Sequence, residues 1–155
     1  MPERTVVLRA DDVLRRFFRR HAGSATERRR ERLRRAEADL RACLEEFAPS
    51  LFTGQERALL ALERQFDPED APARVASADA ILLVLPVFLD EPRWHGSEIE
   101  DRQLRIRLAS SLVDEITRAS ASRGVDVGRA AGVVEAQVRH EIWMLRQERE
   151  ATRHW

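Results

Sequence analysis

Leu104, Leu108, Leu112 and Ile116 recur every four residues, with Ala109 and Val113 widening the stripe, and only an α-helix gathers that spacing on one face. Gly124 supplies its stop, because glycine enters the left-handed backbone of a helix C-terminus without a Cβ clash. Glu98-Arg102, Asp101-Arg105 and Asp114-Arg118 stand four apart, acid first, as expected on a solvated face. A second stripe, Leu33, Ala36, Leu40, Cys43/Leu44 and Phe47, ends at Pro49. Counted from Ser24, it predicts a helix of about 24 residues, roughly 36 Å long. Its first turns, Glu27 to Arg32, have no apolar face and are expected in solvent or on a partner.

Shorter stripes complete the pattern. Val13, Leu14, Phe17 and Phe18 make an N-terminal helical face beside Arg15, Arg16, Arg19 and Arg20, and Gly23 separates it from the next helix. Ala58/Leu59, Leu62 and Phe66 predict the buried side of another helix, closed by Asp67-Pro68. Val138, Ile142 and Leu145 predict that of a C-terminal helix from about Val134 to Arg153. Ser24-Ala-Thr-Glu27, Thr53-Gly-Gln-Glu56 and Ser97-Glu-Ile-Glu100 match the capping box, and Asp67-Pro68 offers a further helix start with proline at the first position. Ala80 to Leu89 reads equally as buried strand or buried helix. A strand needs partners, and the other candidates, Thr5 to Arg9 and Gly124 to Gly128, are very short, so helix is expected.

All 27 basic residues are Arg, balanced by 27 acids, in a chain of 155 residues without Lys, Asn or Tyr. The codons of those three are A/T-rich, so the composition points to a G/C-rich genome and devalues Arg abundance as a sign of phosphate recognition. Its distribution is more informative. Between Arg4 and Arg35, twelve Arg face four acids, Asp11, Asp12, Glu27 and Glu31, for +8, and the rest of the chain sums to −8. A 43% hydrophobic fraction supports a core and argues against disorder. The single Cys43 excludes an internal disulfide and a multi-cysteine zinc site. The longest apolar run, Ala80 to Leu89, is about half of the roughly 20 residues that span a bilayer, and the N-terminus has no signal-peptide pattern, so a cytoplasmic protein with no membrane role is expected.

No catalytic or metal-binding set emerges. His140-Glu141 opens like a zinc-protease helix but continues Ile-Trp-Met, without the second His one turn on. Glu150 and His154 have the wrong spacing for a di-iron bundle, and His21, His95 and His154 are expected at the surface. Cys43 lies on an apolar stripe as a small hydrophobe. Gly124 to Gly132 lacks the spacing of a phosphate loop. The expectation is therefore a non-enzyme with no cofactor and no metal. The densest charge run is Arg28, Arg29, Arg30, Arg32, Arg34 and Arg35. These six Arg cover most of a helix circumference and would meet phosphates or, alternatively, form a solvated helix end.

Val125 to Ile142 carries Val127, Ala131, Gly132, Val133 and Val138 at positions that resemble the helix-turn-helix of LacI-type and related bacterial regulators. Val134, where a polar cap is usual, Gly128 in place of Ala, and Glu141 at an apolar position depart from that pattern. The resemblance implies a turn at Gly132 and a second helix presenting Glu135, Gln137, Arg139 and His140 to a DNA groove. The fold class expected is all-α. Residues 1–155 would form a single compact bundle of about six helices, with a long second helix: a basic N-terminal helix (1–23), a helical core (24–123) and a helix-turn-helix-like pair (124–155). The function expected is a small DNA-associated or regulatory protein gripping double-stranded DNA through basic helix faces. The alternative is a helical interaction module, as a homodimer or with a helical protein partner; Trp143 is then a core or dimer contact.

Overall fold

The computed structural model describes residues 7–90 and 98–154. The fold class is all-α: α1 (Ala10–Ala22), α2 (Glu27–Phe47), a 3-10 turn (Ala48–Leu51), α3 (Gly54–Phe66), α4 (Ala71–Val75), α5 (Asp79–Phe88), α6 (Ile99–Ala121) and α7 (Gly128–Arg153). No strand occurs among the described residues beyond one isolated bridge between Arg9 and Ser77. The ambiguous stretch at Ala80 to Leu89 is helical as far as Phe88, with Pro86 inside the helix. Backbone contacts divide the chain into two units, Met1–Val84 and Leu85–Trp155.

In the first unit α1 and α2 pack as an antiparallel hairpin, since Arg41 on α2 reaches Asp11 at the start of α1 while Arg30 reaches Ala22 at its end. Val13, Leu14, Phe17 and Phe18 of α1 are buried, as are Leu33, Ala36, Leu40, Cys43 and Leu44 of α2, each set at helical spacing. Phe17 and Phe18 meet edge to face at 5.3 Å. Helix α4 packs on α1, α2 and α3. Arg9 and Ala10 donate to the carbonyls of Val75 and Ala76, fixing the chain before α1 to the end of α4.

Two helix starts differ in detail from the sequence pattern. The cap of α2 is Thr26, whose Oγ1 accepts from Arg29 N, in place of Ser24, so the helix has 21 residues. Asp67 ends α3 and turns the chain by accepting from Glu69 N; the next helix starts after Asp70, with proline supplied by Pro72. The capping box at Thr53 and Glu56 is present in both directions. Ser97 lies outside the described residues, as do Trp94, His95 and Trp155.

The expected buried face of α3 is overturned. Leu60 is its buried residue, while Leu62 is 51% and Phe66 83% exposed. Two ion pairs accompany this rotation: Glu63 meets Arg74 of α4 at 3.1 Å and Arg64 meets Glu45 of α2 at 3.3 Å. Leu60 lies between those charges on the helix wheel and turns inward with them.

In the second unit α6 and α7 pack antiparallel, with Arg102 near the start of α6 holding Glu148 near the end of α7 through two bonds of 2.8 and 3.1 Å. The α6 stripe Leu104, Leu108, Ala109, Leu112, Val113 and Ile116 is buried as expected. Gly124, at φ 72°, stops the helix: Gly124 N donates to Ala121 O and Val125 N to Ser120 O.

The helix-turn-helix pair at 124–155 is also overturned. Helix α7 runs unbroken through Gly132, which has no left-handed backbone and no turn. Ala131, Val134, Val138, Glu141 and Leu145 form one buried stripe at three-and-four spacing that passes straight across Gly132. A glycine inside a helix costs about 1 kcal/mol relative to alanine, less than breaking such a stripe. The helix begins at Gly128, whose N–H donates to Asp126 Oδ1 at 2.8 Å.

Candidate nucleic-acid interface

The amphipathic hairpin of the first unit sorts charge by geometry. With Val13, Leu14, Phe17 and Phe18 facing inward on α1, Arg15, Arg16, Arg19 and Arg20 are left in solvent. On α2 the inward stripe begins only at Leu33, so Arg28, Arg29, Arg30, Arg34 and Arg35 are exposed and Arg32 is half-buried. The link at 23–26 folds the two helices back on each other. Residues 9 to 35 thus place eleven Arg and four acids on one hairpin, a net +7.

Between the helices lies a cleft of about 280 Å³ lined by Arg15, Arg19, Arg30, Arg34 and Glu37 around Phe18 and Leu33. Arg15 and Arg19 are one turn apart, as are Arg30 and Arg34, so each helix contributes a pair of arginines to the lining of the same cleft. Acids hold part of this charge in place: Asp11 meets Arg15 at 3.0 Å and Glu31 meets Arg34 at 2.7 Å. Arg30 Nε donates to the carbonyl of Ala22 at 3.1 Å, a carbonyl that also accepts from Ala25 N, and so ties α2 to the end of α1.

The start of α2 adds to the positive potential. A helix N-terminus carries about half a positive charge and favours acids, yet here only Glu27 obeys and Arg28, Arg29 and Arg30 follow it.

Next along α2, and sharing Arg34 and Glu37 with the first, a second cleft of about 560 Å³ is lined also by Ala38, Arg41, Ala42, Glu45, Pro68, Glu69 and Asp70, with acids in excess. Its fixed point is Arg41, bonded to Asp11 at 2.8 Å and Glu37 at 3.1 Å and within 3.9 Å of Asp70. Burial works against the Arg41 cation, but the bonds to Asp11 and Glu37 and their charges outweigh it and hold its pKa above the usual arginine value. Asp70 holds the positive backbone angle φ 56° at this spot.

The other expected DNA contacts stand on α7, in the second unit. Glu135, Arg139 and His140 are exposed there. Gln137 is half-buried and donates from Nε2 to Oε1 of the buried Glu141 at 2.9 Å, so it is turned toward its own helix. Without a turn at Gly132, these four residues are not the presenting face of a recognition helix. What the sequence reading left out of the site is the pair Arg15 and Arg19; their four-residue spacing, matched by Arg30 and Arg34, was the available signal.

Among the described residues no group of three or more His, Cys, Asp or Glu is placed to hold a metal ion. Among them, too, no helix is long and apolar enough to cross a membrane. Compared with models of protein families, with curated proteins and with solved structures, the chain finds no match.

Proposed function

We propose that this chain is a nucleic-acid-associated binding protein, and that the α1–α2 hairpin grips the phosphate backbone of double-stranded DNA without reading its sequence. The observation that carries this reading is the cleft in which Arg15, Arg19, Arg30 and Arg34 converge from two helices, beside a helix start loaded with Arg28 and Arg29. Guanidinium groups bind phosphate oxygens in forked pairs, and four arginines line one cleft, with Arg15 and Arg34 also steadied by Asp11 and Glu31. The aromatic residues of the hairpin, Phe17 and Phe18, are buried, so bases have no stacking platform there and the contact is electrostatic. Such a protein works in the cytoplasm of a bacterium, where chromosomal DNA lies.

The test is fluorescence anisotropy of a labelled duplex titrated with the full chain at several salt concentrations. Release of counterions from about four phosphates predicts a log–log slope of about −3.6, so a fourfold rise in salt weakens binding roughly a hundredfold. Replacing Arg19→Glu and Arg34→Glu together abolishes binding while helical circular dichroism is kept. Scrambling the duplex sequence leaves affinity unchanged. No binding at low salt, or binding indifferent to the double replacement, overturns the reading.

A further inference from the structure

Helix α7 carries two faces at coiled-coil spacing, and α6 uses only one of them. The inner residues Ala131, Val134, Val138, Glu141 and Leu145 are buried. On the opposite side Arg129, Val133, Ala136, His140, Trp143, Gln147 and Glu150 follow one another at intervals of four, three, four, three, four and three, the heptad spacing of a helix-packing seam. All seven are exposed, Val133 at 55% and Trp143 at 56%. The rings of His140 and Trp143 lie nearly parallel, 6.4 Å apart, along this seam.

The order of residues along the seam is self-complementary when it is reversed. Pairing two copies antiparallel about His140 sets Arg129 of each copy against Glu150 of the other, so that both ends of the seam close with opposite charges. The same register sets the small Ala136 against the large Trp143, Val133 against Gln147, and the two His140 rings on the axis. On the flank, Glu135 faces Arg146. A parallel pairing would instead set Arg129 on Arg129 and Trp143 on Trp143. The paired length, from residue 129 to residue 150, is about 31 Å.

We propose that this outer face of α7 docks on the same face of a second copy of the chain, antiparallel, as an isologous dimer contact. The inference is independent of the DNA reading, which concerns the other unit.

Sedimentation equilibrium of the full chain, over about a hundredfold range of concentration, tests it. The expected result is a monomer–dimer equilibrium. Trp143→Glu shifts it to monomer with helical content unchanged, whereas replacing the exposed Phe66→Ser on α3 leaves it in place. Arg129→Glu weakens the dimer, and Arg129→Glu combined with Glu150→Arg restores it, a rescue that only the antiparallel register gives. In a Cys43→Ala background, His140→Cys forms an interchain disulfide under oxidation. A monomer throughout the range, a dimer that survives Trp143→Glu, or a charge swap that fails to restore it overturns the proposal.

Discussion

The two units of this chain stabilise the same kind of element by different means. In the first, helices of 5 to 21 residues are fixed to one another by arginines that each reach several partners. Arg41 binds Asp11 and Glu37, and Arg74 binds Glu63 and the carbonyls of Glu69 and Asp67. In the second, two helices of 23 and 26 residues pack along a largely aliphatic seam, with the bidentate pair of Arg102 and Glu148 near its end. Long helices bury enough side chain to set their own register. A helix as short as the five residues of α4 does not, and polar links from neighbouring segments supply what its own turn lacks.

That difference is open to direct attack. Replacing Arg41→Ala leaves the buried carboxylate of Asp11 with only the solvent-exposed Arg15 beside it, and the expected loss is about 3 kcal/mol of unfolding free energy. Arg102→Ala, whose partner Glu148 is well hydrated, costs about 1 kcal/mol or less. Urea denaturation of the two variants side by side decides the matter, and equal losses would erase the contrast between the units.

The glycines of the second unit give the next largest effect, with opposite signs. Gly124→Ala forces a Cβ into left-handed backbone and destabilises by about 1 kcal/mol. Gly132→Ala adds a methyl group facing open space within a helix and stabilises by a similar amount, about 0.8–1 kcal/mol. Thermal melts check both. If Gly132→Ala destabilised as Gly124→Ala does, a turn would exist at Gly132 after all.

The smallest effect is on the acid limb of stability. The bond from Arg102 holds the Glu148 carboxyl below the usual glutamate range, against the opposing push of burial. A lowered folded-state value means the stabilisation is complete above the ordinary glutamate pKa and is lost as pH falls through the lowered one. Urea midpoints measured from about pH 5 down to pH 3 therefore fall less steeply in Glu148→Gln than in the parent chain.

The same contrast explains which parts of the molecule could be read from its residues. The α6 stripe and the α1 and α2 faces were legible because a single apolar register dominates each, and burial follows the register. In α3 the apolar register Leu59, Leu62, Phe66 competes with one centred on Leu60, and the buried side is the one whose neighbours Glu63 and Arg64 meet Arg74 and Glu45, partners 11 and 19 residues away that no local pattern shows. At Gly132 a local turn signal was outweighed by a buried stripe on either side of it. The clustering of Arg28 to Arg35 was visible as charge. Its convergence with Arg15 and Arg19 was not, because that depends on how tightly residues 23–26 fold the hairpin.

Cys43 is the only cysteine in the sequence and has no exposed surface, held on the inner stripe of α2. A thiol reagent can reach it only when the first unit opens, and the second unit has no thiol to answer. The chain thus carries its own stopwatch. The rate at which Cys43 is labelled times the opening of one half of the molecule without an added probe, and the same clock slows when a ligand closes on the arginines of the hairpin.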